Sequence, residues 1–157
     1  GSGTAQSYYE KGISLSLQQW GVTNSSAINT YIAGTSTAAD PTFASYYAAE
    51  GINTPPVDVP VLWAGTVAEQ RKQIAVQKYL GLFPESWEAW SDLRRTDADI
   101  LYPLLATENT AVGKGVMKRL TYLPNEYSTN TDAVNTAVGT IPGGLDVGNA
   151  NVWWDVN

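Results

Sequence analysis

Neither cysteine nor histidine occurs anywhere in the 157 residues. Their absence removes disulfides, thiolate nucleophiles, Cys/His zinc sites and every histidine-based catalytic triad. It leaves the redox compartment open, because cysteine-free chains occur in many compartments. Charge is scarce too: 15% of the residues are charged, against roughly 25% in ordinary soluble domains. Basic residues are the scarcer kind, nine against fifteen acidic ones, for a net charge of −6. Such a surface repels phosphates, and no Lys/Arg run interleaves with aromatics, which argues against nucleic acid and against adsorption to anionic lipid. Long apolar runs are missing as well, and so is a basic segment followed by an apolar one at the start. Residues 1–3, Gly1-Ser2-Gly3, read as a cloning scar or flexible leader. On that reading the natural start, and any signal or lipid anchor, lies outside this chain.

What is present is a globular composition. Hydrophobic residues make up 43% of the chain, with six Trp and nine Tyr, on a surface rich in Ser, Thr, Asn and Gly. The length fits one domain with a core of its own. Thr4 or Ser7 caps a first helix to about Trp20, stopped by Gly21. Its Tyr9, Ile13, Leu17 and Trp20 share one face. Asn24-Ser25-Ser26 caps a short helix through Ile28, Tyr31 and Ile32 that ends at Gly34. From Thr35 to Val61 the prolines Pro41, Pro55, Pro56 and Pro60 forbid a long helix. This stretch reads as an ordered, irregular excursion that carries Tyr46 and Tyr47 and leads to Trp63. Thr66 caps a helix of about Val67 to Leu82. Phe83-Pro84 breaks it, and Pro84 is placed in the first turn of the next helix, which bears Trp87, Trp90, Leu93 and Arg94. Beyond Arg95 the chain reads as irregular to Pro124, with a possible strand from Met117 to Tyr122. Thr131-Asp132 caps a last short helix to Val138. The fold class expected is mainly α with long irregular loops, without a repeated 30- to 40-residue unit.

The block Gln77 to Arg95, QKYLGLFPESWEAWSDLRR, carries the most specific signal. It resembles the C-terminal signature of the SusD/RagB family: a Gln-Lys helix, an ALFP-like break, a Glu-Ala-Trp core (here Glu88-Ala89-Trp90) and a Trp-x-x-x-Arg-Arg-Thr ending (Trp90 to Thr96). Three more pieces fall in family order. Tyr8 to Ile13 with Gln19-Trp20-Gly21 resembles the YEEGI…QWGV helix. Arg119 to Tyr127 resembles the R-x-x-Y-P-x-x-E-x segment, with Leu123 as an extra residue between Tyr122 and Pro124. Gly143-Gly144-Leu145-Asp146 with Trp153-Trp154-Asp155 resembles the closing GGxD…WWD. The variant it looks most like is the SusD-like subgroup common in Bacteroidetes.

The resemblance implies that residues 4–157 are the C-terminal SusD-like domain of a longer, TPR-containing α protein, with the TPR-like helices mainly upstream. It also implies a surface-exposed outer-membrane lipoprotein, paired with a SusC-like TonB-dependent transporter. Such a protein captures an oligosaccharide, or a peptide, without chemistry and without a cofactor.

Sugars are held by stacking on aromatic faces. Trp20, Trp87 and Trp90 fall on helix faces and are read as core. The Trp153-Trp154 pair is read as a plug against the body of the domain. Trp63, Tyr46 and Tyr47 sit in or beside the proline-rich excursion, and loops carry binding sites more often than helices do. They are the candidate ligand contacts. The rival reading is a scaffold that touches no ligand: a shared concave surface for these three residues favours binding, and complete burial favours the scaffold. Arg94 and Arg95 are read as structural, pairing with acids among Glu88, Asp92, Glu126, Asp146 and Asp155 or capping a helix. A glycoside hydrolase needs two opposed carboxylates, and none of the fifteen acids sits in a recognisable acid/base motif, so no enzyme activity is expected. Asp58, Asp97 and Asp99 lack the spacing of a calcium loop, and no metal site is assigned.

Overall fold

A computed structural model describes residues 2–37, 44–49, 51–52 and 55–155, without the side chains of residues 44–46. Pro41 and the Tyr46 side chain therefore lie outside the described residues. Seven helices and no strand are present among the described residues: α1 (Ala5–Gln19), α2 (Ser25–Ile32), α3 (Ala44–Ala49), α4 (Val67–Gly81), α5 (Ser86–Thr96), α6 (Pro124–Thr129) and α7 (Thr131–Gly139). The mainly α class with long irregular loops is what the helical periodicity and the proline placement foretold. None of the described helices is long and apolar enough to cross a membrane.

The chain divides into two units. The first comprises Gly1–Ala89 with Ala98–Tyr102, and the second Trp90–Asp97 with Pro103–Asn157. In the first, α1 packs on both α2 and α4. Local chemistry sets where these helices begin. Thr4 Oγ1 accepts from the Ser7 N–H, and Asn24 Oδ1 accepts from the N–H groups of Ser26 and Ala27. Thr66 and Glu69 close a reciprocal capping box at α4. Gly21 takes φ +87° after the last turn of α1, a conformation that glycine adopts without strain. The core is made by Tyr9, Ile13, Ile28, Val59, Ala75 and Ile100. Gln73 is buried among them, its Nε2 donating to the Leu62 carbonyl at 2.9 Å.

In the second unit, α6 packs on α7, and Leu93 and Val134 are buried. The strand expected at Met117 to Tyr122 does not form. The Lys118 and Arg119 N–H groups both donate to one acceptor, the Gly148 carbonyl, where a strand needs alternating partners along a neighbour. Two further expectations are corrected. Pro84 is not in the first turn of α5, which starts at Ser86; it forms a cis Phe83–Pro84 corner ahead of the helix. Helix α6 was not anticipated, although Pro124 stands at its first turn with Leu123 as the N-cap residue.

Candidate functional site

The two sequence-predicted contacts whose side chains are described, Trp63 and Tyr47, stand in different surroundings. Trp63 is half-buried, its ring 5.0 Å from that of Tyr9 and tilted 48°. The loop that carries it is pinned at several points. The Tyr9 hydroxyl donates to the Val61 carbonyl at 2.7 Å, Gln73 holds the Leu62 carbonyl, and the Leu62 N–H donates to the Gly34 carbonyl. Burial, reinforced by Tyr31 and Glu10, pushes the Tyr9 hydroxyl up to about 12, so it remains a proton donor across the physiological range. Tyr47 lies on α3, half-buried, with its ring 4.4 Å from that of Tyr102. No ring contact joins Trp63 to Tyr47 among the described residues.

The other tryptophans correct the sequence reading. Trp20 is 56% exposed and Trp87 74% exposed, so neither is a core residue of this chain. Trp20 terminates α1, where the buried face runs out, and leans on Phe83 at 6.0 Å. Trp153 is 86% exposed and plugs nothing. Trp90 is half-buried and donates its indole N–H to the Met117 carbonyl. The Arg94 guanidinium lies over both the Trp90 and the Trp154 rings, 4.1 and 5.2 Å from their centroids. Its Nη1 donates to the Lys118 carbonyl at 2.8 Å. Arg95 pairs with Asp92 on the same helix. The structural reading of both arginines therefore holds, although Arg94 is held by rings and a carbonyl.

Two ion-pair clusters organise the second unit. Lys118 bonds both Asp97 and the buried Asp155. Asp146 accepts from Arg119, from the Tyr122 N–H at 2.9 Å and from the Tyr127 hydroxyl at 2.8 Å. Burial pushes the Asp146 carboxyl up. The hydrogen bonds from Arg119, Tyr127 and the Tyr122 N–H outweigh it, so the group is held below the usual carboxylate range. Each carboxylate in these clusters is engaged by a cation, an arrangement suited to clamping loops. Among the described residues no cluster of three His, Cys, Asp or Glu suits a metal.

Periodicity missed an apolar groove of about 890 Å³ in the first unit, bordered by α1 and α4 and reaching Tyr31 of α2. A smaller hollow of about 520 Å³ adjoins Trp20, Phe83 and Pro84. Trp63 and Tyr47 line neither.

A family described as "SusD-like: Susd and RagB outer membrane lipoprotein" matches residues 1–155. Among solved structures, a chitin-binding SusD homologue from Flavobacterium johnsoniae is similar at 34% identity and a TM-score of 0.73, covering 99% of this chain and 32% of that one. A SusD-like protein from Bacteroides thetaiotaomicron is similar at 26% identity and TM-score 0.75, covering 99% and 33%. A homologue from Bacteroides ovatus is similar at 28% identity and TM-score 0.76, again covering 99% and 33%. Nothing among curated proteins matches. The chain spans about a third of the length of these solved relatives. With a family match over nearly every residue and the same helical fold in each relative, this chain belongs to the SusD-like family of outer-membrane lipoproteins.

Proposed function

We propose that the protein is a non-catalytic glycan-binding component of an outer-membrane uptake system, holding an oligosaccharide for a SusC-like TonB-dependent transporter. On this reading it sits on the outer face of the membrane through a lipid anchor that is not among these residues. The observation that carries the reading is the 34% identity to a chitin-binding homologue over 99% of this chain. The charge-poor polar composition and the aromatic content suit an uncharged ligand such as an N-acetylglucosamine oligomer. Trp63, Tyr46 and Tyr47 remain the proposed contacts, with Trp63 the best supported because its loop is fixed by Tyr9 and Gln73. No covalent step is involved and no cofactor is called for.

A specific observation favours the scaffold as the second reading. The Trp63 and Tyr47 rings already pack against Tyr9 and Tyr102. Titration of the chain with chitohexaose, followed by the Trp63 indole resonance, separates the two. Binding predicts shifts of that resonance and of the neighbouring backbone amides with a Kd of about 1 mM, the affinity of a partial site, and the amide shifts are lost in Trp63→Ala. No shift anywhere supports the scaffold, whereas sub-micromolar affinity shows that the whole site is contained in this chain. No glycan should be hydrolysed, and turnover lost on a single Glu→Gln change overturns the binding reading.

A further inference from the structure

We infer that a hollow beside the Trp63 loop admits the acetamido group of an N-acetylated sugar, so that Gln73 and Gln77 select which glycan is held. The inference rests on the glycan reading and names the substituent that the site distinguishes. The hollow measures about 190 Å³ and lies in the first unit, between α2, α4 and the chain around Val61. That is below the roughly 300 Å³ at which pockets for whole ligands begin, and several times the roughly 30 Å³ share of one water. A space of this size suits a substituent. No charged side chain is among its described lining residues, so a carboxylate or sulfate group would enter without a counter-charge.

Two amides on α4 define the hydrogen bonding. Gln73 is 1% exposed, and its Nε2 donates to the Leu62 carbonyl at 2.9 Å. A carbonyl can only accept, so that bond fixes which end of the amide is nitrogen and leaves Oε1 as an acceptor. Oε1 is buried and meets no donor among the described residues, a state that buried acceptors rarely keep. One turn further along α4, Gln77 Oε1 accepts from the Tyr31 hydroxyl at 3.0 Å, and its Nε2 carries donors of its own. Val59, Val61 and Val76 contribute an apolar wall. A water or a sugar hydroxyl satisfies Oε1 but sets a polar group against these valines. An acetamido group answers each feature: its N–H donates to Gln73 Oε1, its carbonyl accepts from Gln77 Nε2, and its methyl covers the valines. The terminal torsion of glutamine is broad, so Oε1 turns to an entering N–H while Nε2 stays on the Leu62 carbonyl. At most about 7 Å of chain separates Val61, on the hollow, from Trp63. A pyranose stacked on the indole, with its substituent, spans a distance of that order.

Chitohexaose and cellohexaose provide the test, because they share a β-linked glucose backbone and differ in the acetamido group that replaces a hydroxyl on each ring. Titrated into the isotopically labelled chain, chitohexaose should shift the Trp63 indole, the Gln73 side-chain amide and the Val61 backbone amide together. Cellohexaose should shift the Trp63 indole alone, with a Kd roughly tenfold higher or more. Val76→Phe fills the hollow from α4 without removing the Gln73–Leu62 bond. It should lower chitohexaose to the cellohexaose affinity while the Trp63 shift persists. Gln73→Leu should do the same. If losing the bond to Leu62 unfolds that loop, Val76→Phe and the two wild-type titrations still decide. Leu145→Glu, an exposed change in the second unit, should leave both affinities unchanged. Equal affinities for the two oligomers overturn the inference and leave the glycan reading standing, as does chitohexaose binding with the Gln73 and Val61 signals unmoved. Silence of every resonance with both oligomers overturns the inference and the glycan reading together.

Discussion

Asp146 binds together three points that are far apart in sequence: Arg119, the backbone at Tyr122 and the hydroxyl of Tyr127. Its side chain and that of Arg119 are both largely buried, so removing one charge strands the other. Asp146→Asn should therefore destabilise by about 3 kcal/mol, the lower end for breaking such a pair, read as a shift in urea midpoint. The pH dependence follows from the depressed folded-state pKa. Stability from this carboxylate is fully present above the unfolded value of roughly 4 and is lost as pH falls through the lower folded value. Wild type should lose stability across that acid window, and the Asn variant should lose less of it; parallel curves for the two would disprove the role. Trp90 is the other residue on which the second unit leans. Trp90→Ala removes the indole that stacks on Arg94 and leaves the Met117 carbonyl without its donor. It should cost about 3 kcal/mol by denaturant titration, as for aromatic truncations of partly buried sites. An unchanged midpoint would show that Arg94 and Trp154 hold that corner without it.

At the scale of the element, the start of α4 is the best-determined boundary in the chain. The Thr66 N–H donates to Glu69 at 2.6 Å, and the Glu69 N–H donates back to Thr66 Oγ1 at 3.3 Å. The Thr66 N–H, and after it the Thr66 hydroxyl donating to Glu69 Oε2 at 2.8 Å, hold the Glu69 carboxyl below its ordinary range. Gly65 makes the box possible, with φ +83° and a position where a Cβ would stand 2.4 Å from the Glu69 carboxylate. Gly65→Ala should thus cost more than about 1 kcal/mol and lower the melting temperature, and an unaltered melting temperature would show the box to be dispensable. Boundaries of this kind were legible in the sequence because they are local: Thr4, Asn24 and Thr66 each satisfy donors within three residues. Helix α6 was overlooked because Leu123 offers no side-chain cap, so only Pro124 signals its start. Met117 to Tyr122 has strand-like residues, but strand formation depends on a partner, and Gly148 supplies only one carbonyl. The tryptophans failed for the same reason. Spacing identifies the face on which Trp20 and Trp87 sit, and whether that face is covered depends on tertiary packing that spacing does not encode.

At the scale of the molecule, the balance of apolar side chains sets the stability to be expected. Among the described residues, eight apolar side chains are buried, while eighteen large apolar or aromatic ones are exposed. Residues such as Leu15, Leu80 and Phe83 therefore contribute little of the transfer free energy that a full core of this size would collect. The family motifs were readable nonetheless, because the Phe83-Pro84 corner, the Arg94 stack and the Asp146 clamp lie within the chain and set its local geometry. The candidate contacts were only partly readable: sequence placed Trp63 in a loop, but not its packing on Tyr9. A chain with intact local structure and a short core should unfold at low urea concentration, with stability below about 5 kcal/mol, the floor for ordinary domains. Far-ultraviolet circular dichroism should show helix, and dye binding should report the uncovered apolar surface. A cooperative transition at high urea with no dye binding would mean that the exposed side chains find cover within the chain itself.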